Sequence, residues 1–168
     1  MLKEYLLTLI DYNYWANGLI MKYADRLKPD EYSQVTAYSQ KSIHDILIHI
    51  LFAEWVWRER LMGTSPDMAV VSSYYRPEDY PSLDKLLEKW FDEEMMMRDF
   101  VEKIPEEKLA ETFNYKTTKG DELENVYVDI FTHMVFHGMQ HRSEAATILH
   151  MHNQSPGDID YLRYLRQR

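Results

Sequence analysis

HMVFHGMQHRSEAATILH, residues 133–150, sets His133, His137 and His141 four apart. On a helix such residues stand one turn above another on the same face, so neighbouring imidazoles can grip one ion. On a wheel at about 100° per residue, Tyr127, Ile130, Met134, Ala145 and Ile148 form an inward arc with His141 at its centre. His137 lies about 40° to one side and His133 about 80° off, so the best pair is His137 with His141. His150 falls on the far side, and His152 belongs to a fraying end. Two side chains of one helix hold an ion loosely, and a second helix has to bring another ligand to the same point.

That second helix opens at Ser42, where Ser-x-x-Asp with Asp45 can satisfy two backbone donors reciprocally. It is expected to run to about Met62, where Gly63 stops it. Its apolar arc is Ile43, Ile46, Ile50, Ala53, Trp57 and Leu61, and His44 projects away toward solvent. His49 sits on one flank of the arc and Glu54 on the other. From its flank His49 can complete a triad with His137 and His141, leaving a fourth position to water or substrate, the pattern of a catalytic site. Glu54 and Glu144 lie near inward arcs, where buried carboxylates orient ligating imidazoles. The plainer account is that core-facing histidines are more often hydrogen-bonded packing residues, and that pairs four apart arise by accident among 7 histidines. His133 alone reads as a supporting or interface residue.

Outward from these two helices, residues 2–27 carry apolar side chains at helical spacing (Leu6, Leu9, Ile10, Tyr14, Ile20, Met21, Ala24), ended by Lys28-Pro29. Residues 64–82 hold three prolines and no sustained period, which predicts a loop long enough to cross the molecule or cover a site. Ser82 and Asp84 start a helix running to Ile104, before Pro105. Residues 111–125 read as extended, a hairpin turning at Lys119-Gly120 or Gly120-Asp121, and residues 126–152 as the fourth long helix. A short helix closes the chain in SPGDIDYLRYLRQR. The pattern predicts an all-α fold, a four-helix bundle with long crossover loops and a short C-terminal helix, as a single domain over residues 1–168. The Met95-Met96-Met97 run and Tyr12, Tyr14 and Trp15 read as core filling, and Asp92-Glu93-Glu94 as a wet helix face.

Composition narrows the chemistry. The 168 residues include no cysteine, which removes disulfides, thiolate-held metals and a cysteine nucleophile, so a metal must be held by nitrogen and oxygen. A net charge of −9 opposes a phosphate-binding surface, so nucleic acid is not an expected partner. The N-terminal MLKEYLLTLIDYNYW interrupts its apolar run with acidic and polar residues and reads as neither signal peptide nor membrane span. A cytoplasmic location is the default expectation. Apolar residues at 45%, with 13 Tyr, 4 Trp and 10 Met, describe a folded chain.

Four stretches resemble the DinB/YfiT-like family, small helical proteins that hold a metal near one end of a four-helix bundle. YNYWAN (residues 12–17) is similar to the family's first-helix Y-N-x-W-A-N, and HILFAEWVW (49–57) to a His followed by Glu five and Trp eight residues later. HMVFHGMQHR (133–142) resembles H-x-x-N-H-x-x-x-H-R, and PGDIDYLRYL (156–165) the D-x-D-x-x-x-Y-L tail. The resemblance puts the family's ligands on His49, His137 and His141 and implies a divalent ion such as zinc or nickel and a homodimer. The family's name refers to induction by DNA damage in some members, which does not imply DNA binding. Relatives with assigned activities are often transferases or isomerases using low-molecular-weight thiols such as bacillithiol or mycothiol, and one branch looks hydrolase-like. The chain departs from the pattern at Phe136, where Asn is usual, and at Ser143-Glu144 in place of Gly-Gln.

The resulting expectation is a metal-dependent thiol S-transferase acting on small electrophiles with a low-molecular-weight thiol, Glu54 or Glu144 positioning an imidazole or taking a proton. The alternatives are a metal-dependent hydrolase and a non-catalytic, metal-stabilised stress-response dimer. A fourth protein ligand closing the sphere favours the last, and an open position facing a cavity favours catalysis.

Overall fold

A proline-free run with apolar side chains every three or four residues makes the first helix, α1 (Leu2–Ala24), which buries Leu6, Leu9, Ile10, Ile20 and Ala24 in one stripe. The computed structural model describes residues 1–38, 40–74 and 76–168, which leaves Ser39 and Tyr75, both in stretches expected as connections, outside the described residues. α1 ends three residues before Leu27, whose N–H turns back to Ala24 O at 3.0 Å. Pro29 then opens the single turn α2 (Pro29–Tyr32), with the Glu31 carboxylate accepting from Lys28 N–H at 2.9 Å.

Ser42 caps α3 (Ile43–Leu61), its hydroxyl oxygen accepting from Asp45 N–H at 3.1 Å. Only half of the reciprocal box forms, because the Asp45 carboxylate takes the Ser42 hydroxyl at 2.7 Å while Ser42 N–H goes to Gln40 O. Gly63, at φ +94°, turns the chain out of the helix. Residues 64–82 depart from a plain loop: α4 (Met68–Tyr74) forms there, capped by the Asp67 carboxylate, which accepts from Val70 N–H at 2.9 Å. It buries only Val71, so no apolar period marks it in the sequence.

α5 (Leu83–Lys103) follows, and then the hairpin of β1 (Thr112–Lys116) and β2 (Glu122–Val126), antiparallel from Thr112 opposite Val126 to Lys116 opposite Glu122. Gly120, at φ +94°, supplies the conformation its turn requires. β1 buries Phe113 and Tyr115 against the bundle. α6 (Tyr127–Met151) is the longest element, and α7 (Tyr161–Gln167), capped by Asp160, ends the chain.

The fold is mainly α-helical: α1 packs on α6 and α5, and α3 packs on the same two, closing a four-helix ring. Consecutive long helices α1 and α3 therefore stand across the diagonal, as do α5 and α6, and each of those links crosses one end. α3 is buried nearly all round, with Ile43, Ile46, Leu47, Ile50, Leu51, Trp55, Val56 and Leu61 in the core, while Ala53 and Trp57 of its expected arc are half-buried. No helix of the described residues is long and apolar enough to cross a membrane.

Two expectations for α5 are corrected. Only Met97 of the methionine run is core, Met95 and Met96 being exposed, because three consecutive residues cannot share one helix face. Within Asp92-Glu93-Glu94, Glu93 is fully buried, held by Arg58 of α3 through Nε–Oε1 at 2.5 Å and Nη2–Oε2 at 2.9 Å. A carboxylate enters a core only with such a partner, which lies on another helix and is invisible to a local reading.

Candidate metal centre

α3 and α6 lie side by side, and the turn that carries His49 faces the two turns that carry His137 and His141. One ring nitrogen from each of the three lies within 4.8 Å of the others, a group that could hold a metal ion. His49 Nε2 and His137 Nε2 are 3.3 Å apart, and the His141 ring stands edge-on to both, with centroids at 4.5 Å and 4.6 Å. Burial, and after it the neighbouring His141, pushes His49 and His137 down to about 4. At neutral pH both therefore present unprotonated nitrogens, the form that ligates.

The fit to a divalent ion is testable on distance. A tetrahedral ion with nitrogen ligands at about 2.0 to 2.1 Å sets those nitrogens about 3.3 to 3.4 Å apart. The His49–His137 separation of 3.3 Å matches that figure. Three imidazoles without sulfur suit a borderline divalent cation. Among the described residues no fourth His, Asp or Glu joins the group.

Glu144 lies one turn beyond His141, and its Oε2 is 2.9 Å from His141 Nδ1. That contact fixes the ring so that Nε2 is the nitrogen left for an ion. The substitution of Glu144 for the Gln of the family pattern puts a full charge there. Phe136, the other departure, is 57% exposed and contributes nothing to the triad.

Glu54 occupies a different layer. Buried at 6% exposure, it accepts from Tyr14 Oη and from Asn13 Nδ2 at 3.3 Å, and no hydrogen bond joins it to a histidine among the described residues. It meets His137 only across a void of about 10 Å³, near the size that holds one water. Burial pushes its carboxyl up to about 7, against the opposing pull of the Tyr14 hydroxyl. Asn13 Oδ1 in turn accepts from Arg142 Nη1 at 2.6 Å, and the same nitrogen donates to Asn17 Oδ1 at 2.8 Å. Arg142 is fully buried. A side chain at position 138 would put Cβ 2.7 Å from Arg142 Nη1, so Gly138 is what lets the guanidinium lie between α6 and α1.

Asn13, Asn17 and Arg142 were not among the expected site residues. The signal for the first two lay in the sequence: Leu6, Ile10, Asn13, Asn17, Ile20 and Ala24 form one stripe, so two amides interrupt an apolar face. Tyr12 and Tyr14 are accordingly more than filling, since Tyr12 Oη donates to Ile159 O at 3.0 Å and Tyr14 holds Glu54. His133 is exposed at the rim, its ring 5.4 Å from that of Trp57 and 5.8 Å from that of His137. His44 corrects the solvent-facing expectation: its Nε2 lies 2.7 Å from Tyr80 O and its ring packs edge-on to Tyr32, because the crossover loops cover that side of α3. His150 is exposed, and His152 caps the end of α6.

The sequence model described as DinB family matches residues 1–168. No curated protein matches the chain.

Proposed function

Since the chain belongs to the DinB family along its whole length, we propose that it is a metal-dependent enzyme, a thiol S-transferase that joins a low-molecular-weight thiol to a small electrophile. The observation that supports this reading is the convergence of three imidazoles from two helices, with no fourth side-chain ligand among the described residues and with a cavity against His49. A closed sphere of protein ligands would instead favour a purely structural ion.

In this reading His49, His137 and His141 hold zinc or nickel. When bound, such an ion lowers the pKa of a thiol or a water placed against it, which supplies the sulfur nucleophile that a cysteine-free chain lacks. The residues do the rest. Glu144 keeps His141 in one tautomer and one orientation through Nδ1. Glu54 is sealed with Tyr14 and Asn13, so it supports the layer beneath His137 rather than meeting substrate. The thiol proton then leaves to solvent at the cavity mouth, sulfur forms its bond to the electrophilic carbon, and the leaving group departs with its electron pair.

The test is elemental analysis of the purified protein, followed by zinc or nickel with a panel of cellular thiols against model electrophiles. Stoichiometric metal and faster consumption of the electrophile with metal and thiol together than with either alone are expected. No acceleration across several thiols would defeat the transferase, and absence of stoichiometric metal would defeat the centre itself.

A further inference from the structure

A cavity of about 430 Å³ opens beside the triad, and His49 forms part of its wall. That volume suits a small organic molecule. Ile48 and Phe52 of α3 and Val71 of α4 give it an apolar side, and Lys41 and Asp45 give it charge. The two charged groups differ in what they already do. Asp45 takes the Ser42 hydroxyl at 2.7 Å and stands 3.6 Å from His44 Nδ1, so its carboxylate is engaged in capping α3. No carboxylate of the described residues pairs with the Lys41 ammonium. Lys41 is therefore the charged group of this wall with no partner for its charge among the described residues, while Asp45 keeps its own negative charge at the cap, in a chain whose net charge is −9.

Lys41 is also held in an unusual backbone conformation, at φ 65°. Glycine or asparagine takes that region readily, whereas a lysine there is strained and persists only where its surroundings impose it. The surroundings here do so. Thr36 N–H donates to Lys41 O at 2.6 Å, the Thr36 hydroxyl donates to the same oxygen, and Lys41 N–H donates to Tyr38 O at 2.9 Å. These bonds to Thr36 and Tyr38 thus set this lysine at the cavity rim.

We infer that this cavity binds a small carboxylate, its anionic group recognised by Lys41, its apolar body lying on Ile48, Phe52 and Val71, and its far end directed to His49. The inference deepens the metal-centre reading by naming the substrate class, yet the cavity can be tested without metal. A single ammonium suits a carboxylate better than a doubly charged phosphate, which collects several donors.

The first measurement titrates metal-free protein with 3-phenylpropionate and with 3-phenylpropanamide, followed by calorimetry and side-chain NMR. The carboxylate is expected to bind about tenfold tighter. Lys41→Gly, which relaxes the positive φ while removing the charge, should bring the two ligands to within about twofold, with the Tm held or raised. Equal affinities in the parent protein, an unchanged preference in the variant, or no saturable binding of either ligand at about 10 mM would overturn the site. The second measurement repeats the comparison on zinc-loaded protein with 3-mercaptopropionate and 3-mercaptopropanamide. A carboxylate preference in the first measurement without zinc uptake in the second leaves the cavity standing and removes the metal centre. Zinc uptake with no preference in either does the reverse.

Discussion

α3 carries two polar clusters that solve burial in opposite ways. Near its C-terminal end Arg58, 4% exposed, meets the fully buried Glu93 fork to fork, a donor pair against an acceptor pair of opposite charge. Toward its N-terminal end His49 meets His137 and His141, three groups of the same kind whose nitrogens face one another. The first cluster is complete as folded, because each member answers the other. In the second, burial and the neighbouring His141 keep two rings unprotonated, and His49 Nε2 and His137 Nε2, 3.3 Å apart, can share at most one N–H between them. A cluster of unlike partners thus closes on itself, whereas three imidazoles leave ring nitrogens that could hold an ion.

The sharpest way to break that distinction is to remove one imidazole. His137→Ala or His141→Ala is expected to abolish stoichiometric metal binding, read by elemental analysis, while changing the metal-free unfolding midpoint little. Retained metal in either variant would show that the triad is not the centre. Removing one partner of the other cluster should do the reverse. Arg58→Ala leaves the Glu93 charge buried and is expected to cost about 3 to 5 kcal/mol in urea unfolding, with metal stoichiometry unchanged. A loss below about 1 kcal/mol would class the pair with weak surface bridges.

Glu144→Ala keeps all three ligands but frees the His141 ring. Metal affinity, measured against a competing chelator, should fall about 10- to 100-fold. The pH dependence of the metal-free protein separates the clusters more gently. With His137 near 4 in the fold and near 6.5 unfolded, the unfolded chain binds more protons between those values, so this group's contribution is present above about 6.5 and lost as pH falls toward 4. Glu54, raised to about 7, acts in the opposite sense, its contribution shrinking as pH rises from 4.5 to 7. It is common to the parent protein and His137→Ala, so the difference between their denaturation midpoints isolates the histidine, and that difference should vary across this window. Smallest of all, His44→Ala removes the contact to Tyr80 O outside both clusters and should cost about 1 kcal/mol without touching metal uptake.

Periodicity in the chain was enough to place His137 and His141 on the inward face of one helix and His49 on the flank of another, since rotation about a helix follows from spacing alone. It also delivered the four long helices and the hairpin, whose caps, prolines and glycines act within a few residues. The same local logic could not place Glu93, Glu54 or His44. Glu93 needed Arg58 of α3, Glu54 needed Tyr14 and Asn13 of α1, and His44 needed the loop carrying Tyr80. Each partner is remote in the chain, at separations a helical wheel does not contain.

The amino-acid order by itself determined which residues share a helix face, that any ligand set must be free of sulfur, and where the family's motifs fall. Only the folded chain decided that α3 packs beside α6 with His49 level with His137, that Asn13 and Arg142 close a buried network beneath them, and that Lys41 borders a cavity. The physical reason is that spacing fixes a side chain's angle about its own helix axis. Which helices become neighbours, and at what height they meet, is set by packing the whole core at once.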